Sequence, residues 1–120
     1  MRTYTPDEAA AELPALREQL ARIRTSRRSV IESSERITDA VAADGGGVAG
    51  SDWFEASRQL REDVTDLAER GILLRDAEAG LVDFPAEREG RIVLLCWRAD
   101  EETLGFWHEQ DSGFIGRQPL

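Results

Sequence analysis

The side chains best suited to chemistry gather in the C-terminal part of this 120-residue chain. Arg75, Asp76, Asp83, Arg91, Arg98, His108, Glu109 and Arg117 are interleaved there with Trp97, Phe106, Trp107 and Phe114. Two chemistries fit these residue types. His108, the single histidine, together with Glu109, Asp83 and Asp76 offers nitrogen and oxygen donors to a divalent metal. Spacing limits that reading, because HxH, HExxH and CxxC are all absent. Adjacent residues of a strand also point to opposite faces, so His108 and Glu109 ligate together only at a bulge or a strand end. The second chemistry is capture of a small anion. Arg98 and Arg117 are expected to grip an acid group bidentately, with Trp97 and Trp107 as walls. The run GFIGR, 113 to 117, adds backbone N–H donors. A plainer use of the same residues is an arginine–carboxylate network, with Arg117 on Asp83 or Asp76, that pins the C-terminal tail to the sheet. Cys96, in the middle of LLCW, reads as a small buried apolar residue, since a reactive thiol needs exposure and a positive setting.

These residues need elements to hold them. The periodicity changes at Gly71. Beyond it, ILLR (72 to 75), LVDF (81 to 84), RIVLLCWR (91 to 98) and TLGFWHE (103 to 109) read as strands. The links DAEAG, PAEREG and ADEE are short and polar, which predicts an antiparallel meander of about four strands. The third strand is apolar on both faces, with Ile92, Leu94 and Cys96 on one and Val93, Leu95 and Trp97 on the other, and is expected at the centre, with helices over one face and the tail DSGFIGRQPL over the other or along the rim.

Before Gly71 the pattern is helical. Thr5, Pro6 and Glu8 form a capping box with proline at the first helical position. Leu13, Leu16, Leu20, Ile23, Val30, Ile37 and Val41, with the polar Arg27 and Ser34 at the two intervening seam positions, then step by threes and fours to about residue 43, a helix roughly 55 Å long. DGGGVAG, 44 to 50, reads as a linker; it lacks the Lys-Ser/Thr pair of a phosphate loop. A second helix is expected from Ser51 to Arg70 with the seam Trp53, Ser57, Leu60, Val64 and Leu67. Antiparallel pairing then sets Trp53 near Val41 and Leu67 near Arg27, with Asp63 or Asp66 as partner to Arg27. The segment from Leu13 to Ile23 extends past the second helix and needs the sheet, or a second copy of the chain, to cover it. A homodimer through the helical region is one such arrangement. The basic run RIRTSRR, 22 to 28, splays over more than one helix face and reads as a solvated surface paired with nearby acids.

Composition removes several classes. The net charge is −9, from 24 acidic and 15 basic residues, and every basic residue is arginine. Such an acidic chain is not expected to bind nucleic acid. One cysteine excludes an internal disulfide and fits a reducing compartment. No apolar run approaches the roughly 18 residues of a membrane span, and MRTYTPDEAA has no signal core. A cytoplasmic location is the expectation.

The stretch RGILLRDAEAGLVDFPAEREGRIVLLCWRADEETLGFWHEQDSGFIGRQPL closely resembles the bacterial domain-of-unknown-function family 2203. The resemblance rests on GLVDFPA, LCWR, WHE and GFIGRQP and spans about residues 70 to 120. Asp100 and Glu101 stand where that family often has Gly-Glu, which alters a turn. The resemblance implies a fold and a set of candidate residues, and no reaction.

The expected protein is therefore a single α+β domain over 1–120: a helical hairpin (1–71), then a small antiparallel sheet and an ordered tail (72–120). The expected function is that of a non-enzymatic interaction or small-anion-binding module using Arg98, Arg117, Trp97 and Trp107. The alternative is a metal-binding protein or metal-dependent enzyme using His108, Glu109, Asp83 and Asp76.

Overall fold

A computed structural model describes residues 1–43 and 48–120. Helix α1 spans Pro6–Ala43 and helix α2 spans Val48–Glu69. Five strands follow, β1 (Leu73–Asp76), β2 (Leu81–Arg88), β3 (Arg91–Arg98), β4 (Phe106–His108) and β5 (Gln118–Pro119). They form one sheet in the order β1-β2-β3-β4-β5, every pair antiparallel. The α+β architecture thus follows the sequence pattern, with one strand more than expected. The tail supplies it: β5 pairs with β4 through Phe106↔Pro119 and Trp107↔Gln118.

The capping box starts α1 as its residues require. The Thr5 amide donates to Glu8 Oε1 at 2.8 Å, and the Glu8 amide donates to Thr5 Oγ1 at 3.1 Å. Gly71, at φ 72°, ends α2 in the left-handed conformation that a side chain resists, and the Ile72 amide returns to the Leu67 carbonyl.

The hairpin register differs from expectation. Asp63 pairs with Arg22 at 2.9 Å and takes a bond from Gln19, while Arg70 reaches Glu12 and Arg36 faces Asp52. Leu67 therefore packs well before Arg27, and α2 reaches back along α1 as far as Glu12. Arg27 lies instead 3.6 Å from Glu78, in the turn after β1. The expectation rested on counting back from a turn at the glycine run. The polar pairs choose another alignment because Gln19 and Asp63 are both buried and each needs a partner. The side chain of Val41, and with it the expected Val41–Trp53 contact, lies outside the described residues, as do residues 44–47 of the glycine run.

The stripe Leu13, Leu16, Leu20 and Ile23 is buried within this one chain, together with Leu67, Val82, Phe84, Val93, Leu95 and Trp97. Both the sheet and the end of α2 cover it. Among the described residues, the helices expose the large apolar side chains of Ile31, Trp53, Phe54 and Val64.

Alternation sorts the sheet into two faces. Val82, Phe84, Val93, Leu95, Trp97 and Trp107 face the helices. Asp83, Pro85, Leu94, Cys96, Phe106 and His108 face away from them. β2 runs on through PAER before turning at Glu89–Gly90, farther than the expected end at Phe84. Pro85 is tolerated there because β1 pairs only with the first residues of β2. The free carbonyl of Pro85 accepts the Tyr4 amide at 2.7 Å. Gly80, at φ 69°, makes the β1–β2 turn where a Cβ would stand 2.8 Å from that of Ala99.

Candidate functional site

On the face away from the helices, three adjacent strands bring one polar side chain each to the same spot. Asp83 of β2 is the direct cross-strand partner of Cys96 of β3. His108 of β4 pairs with Leu94, two residues from Cys96, and so reaches the group along the diagonal. Donor atoms of Asp83, Cys96 and His108 lie within 4.8 Å of one another, and all three residues are buried. They line one side of a cavity of about 260 Å³, with Arg75, Gln110 and Phe114 among the residues of its other walls.

The hydrogen bonds around His108 constrain the group closely. Nδ1 lies 2.7 Å from the Glu109 carbonyl oxygen, and Nε2 lies 3.0 Å from Asp83 Oδ1. The carbonyl can only accept, so Nδ1 carries a proton. The second carboxylate oxygen of Asp83 accepts from Arg75 Nε at 2.8 Å. Arg75 thereby leaves Oδ1 directed at the ring. A neutral imidazole with its proton on Nδ1 presents the lone pair of Nε2 to Asp83 Oδ1. A proton held by either atom, or a metal ion, bridges two such acceptors.

Burial pushes the Cys96 thiol up to about 12, and the Asp83 carboxylate beside it acts in the same direction while Arg117 opposes them. Cys96 is therefore a thiol near neutral pH and a poor nucleophile by itself. A bound metal ion reverses this, because a coordinated thiol gives up its proton.

The eight candidate residues divide. His108 and Asp83 meet. Glu109 turns outward, where its carboxylate pairs with Arg91, and only its backbone oxygen serves the site. Asp76 caps its own turn, its Oδ1 accepting the amides of Glu78 at 3.0 Å and Ala79 at 2.9 Å. Arg98 and Arg117 flank Phe114 on the open face, 5.4 and 4.1 Å from its ring centre. Trp97 and Trp107 lie on the helix side of the sheet, so the four residues do not enclose a common space. Trp97 donates from Nε1 to the Glu101 carbonyl at 3.0 Å, and Arg88 stacks 4.4 Å from the Trp107 ring.

Arg117 does fasten the tail, though not to Asp83 or Asp76. Its Nη1 donates to Glu101 Oε1 at 2.9 Å, and its guanidinium lies 4.1 Å from the Phe106 and Phe114 ring centres. Asp83 is taken by Arg75 and His108, which leaves Glu101 as the carboxylate within reach. The sequence gives Arg75 no particular partner, and it marks Cys96 as a buried apolar residue rather than a ligand. Strand parity already placed Cys96 with Ile92 and Leu94; what was missing was the register that puts Asp83 and His108 on that face too.

A helical hairpin laid over one face of a five-stranded meander, with a buried Asp–Cys–His group on the other face, defines a small α+β protein with a candidate ligand site under its C-terminal tail. The chain belongs to the family described as uncharacterized conserved protein (DUF2203), which it matches over residues 2–120, so the helical half is included. No curated protein and no solved structure matches the chain. Among the described residues, no helix is long and apolar enough to cross a membrane.

Proposed function

We propose that this is a metal-binding protein whose ion is held by Asp83, Cys96 and His108. The observation that carries the reading is the convergence of a nitrogen, a sulfur and a carboxylate oxygen within 4.8 Å of one another, all three residues buried. The Glu109 carbonyl on Nδ1 and Arg75 on Asp83 Oδ2 are partners of the kind that orient metal ligands. One nitrogen, one sulfur and one carboxylate oxygen suit zinc or a neighbouring divalent ion. Donor atoms around zinc stand about 3 to 4 Å apart, so a modest inward movement from the present spacing closes the site. Three protein donors leave a fourth position open toward the cavity, where water or a small ligand can bind. That is the arrangement of catalytic rather than structural zinc sites.

A small-anion site at Arg98 and Arg117 has weaker support. Arg98 donates to Asp100 at 2.6 Å and Arg117 to Glu101, so each guanidinium already has a carboxylate of its own.

Elemental mass spectrometry on protein purified without a histidine tag, followed by cobalt(II) titration, tests the reading. The expected result is stoichiometric metal that is lost in His108→Ala, with a thiolate-to-cobalt charge-transfer band that is lost in Cys96→Ser. Failure of the wild-type protein to take up zinc, cobalt or manganese would overturn it.

A further inference from the structure

On the opposite side of the sheet from the Asp83 group, one face of α1 concentrates positive charge in a chain whose net charge is −9. Arg24, Arg27 and Arg28 all converge on a single carboxylate, Glu78. Arg24 Nε donates to it at 3.2 Å, Arg27 Nη1 lies at 3.6 Å, and Arg28 is bonded to Oε1. Arg17, two turns earlier on α1, donates to the carbonyls of Ala99 and Glu101 at 3.3 and 2.9 Å. Three guanidiniums thus share the single carboxylate of Glu78, and Arg17 adds a fourth that is bonded to backbone carbonyls.

Two physical arguments say that this grouping is poorly explained by stability. Arg24, Arg27 and Arg28 are spaced i, i+3 and i+4, so they share a helix face and repel one another. Their pairs with Glu78 are solvent-exposed, with side-chain exposures of 45–52% for the arginines and 41% for Glu78, and such pairs contribute little. The donor count points the same way. Each guanidinium has about five N–H donors, whereas one carboxylate has about four acceptor positions. Most donors therefore face solvent, and Arg24 and Glu78, with Arg17, also border a cavity of about 140 Å³ whose remaining walls are small or apolar. The space suits a small ion and is too small for a drug-sized ligand.

We infer that the α1 face around Glu78 binds a small, multiply charged oxyanion of the phosphate class, with Arg24, Arg27 and Arg28 as its ligands and Glu78 holding the place of one anionic group in its absence. Guanidinium forks match phosphate oxygens bidentately, and a second anion relieves the repulsion that one carboxylate leaves uncompensated.

Calorimetric titration with inorganic pyrophosphate, in chelator-treated metal-free buffer at low ionic strength, tests this. Wild-type protein is expected to bind one pyrophosphate saturably. The double variant Arg24→Gln/Arg28→Gln is expected to lose about tenfold or more in affinity. Arg58→Gln, on α2 and paired with Glu55 and Glu62, is the control and leaves binding unchanged. Glu78→Gln frees the three guanidiniums and is expected to tighten binding. No saturable binding by the wild type, equal affinity in the double variant, or weaker binding in Glu78→Gln would each overturn the inference.

Discussion

His108 Nε2 stands 3.0 Å from Asp83 Oδ1, with both side chains 3% exposed, on the sheet face that the helices leave open. The two residues are far apart in sequence and sit on strands separated by β3. Their meeting depends on two strand registers at once, β2 with β3 and β3 with β4. The contact also sets a chemical condition, since a ring nitrogen and a carboxyl oxygen at this distance share a proton unless a metal ion takes its place. Stability and metal uptake should therefore respond together when either partner is removed.

His108→Ala leaves Asp83 buried with Arg75 as its remaining partner. Leaving that buried carboxyl group short of one partner costs about 1–3 kcal/mol, read from urea unfolding at neutral pH. Zinc added in excess should raise the unfolding midpoint of the wild type and leave that of His108→Ala unmoved. A zinc-induced rise of equal size in the variant would remove His108 from the ligand set.

Arg117 joins the tail to the sheet by one ion pair and two aromatic stacks. Arg117→Ala should lower stability by about 1–3 kcal/mol, because Glu101 is left partly buried without it. Arg117→Lys should recover only part of the loss, since an ammonium keeps the charge and not the planar stack. Thermal unfolding of the two variants distinguishes these contributions, and an unchanged Tm in Arg117→Ala would show that the tail is held without this residue.

The hairpin carries its own pH dependence through Asp63. Burial alone would raise its carboxyl, but bonds from Arg22, Gln59 and Gln19 hold it below the ordinary value of 3.8. The unfolded chain therefore binds this proton more tightly than the folded one. The contribution to stability is complete above that ordinary value and fades as pH falls below it, through the folded-state value. Acid unfolding followed by circular dichroism should show a shallower loss of stability below pH 4 in Asp63→Asn than in the wild type, at the cost of lower stability at neutral pH.

Gly80 and Gly90 share the left-handed backbone, at φ 69° and 77°, but only Gly80 faces a close neighbour. Gly90→Ala should cost about 1 kcal/mol from the backbone conformation alone. Gly80→Ala adds a clash with Ala99, so its loss of stability by chemical denaturation should be clearly larger. Equal losses would mean that the β1–β2 turn moves freely away from Ala99.

Much of this architecture is legible in local pattern. The Thr5–Glu8 capping box, the Gly71 stop and the change from helical to strand periodicity depend on neighbours within a few residues, where propensity and hydrogen-bond geometry decide the outcome. Strand parity likewise put Ile92, Leu94 and Cys96 on one face and Val93, Leu95 and Trp97 on the other. The tertiary structure alone decided which faces meet. Arg22 rather than Arg27 reached Asp63, because helix pairing slides in whole turns and buried polar groups select the alignment. Trp97 and Trp107 went under the helices while Arg98 and Arg117 stayed on the open face, because a one-residue change of register exchanges the faces. The Asp83–Cys96–His108 group arises from that same register, and no spacing within the chain encodes it, since its three members come from three strands whose pairing is settled only when the core beneath them is packed.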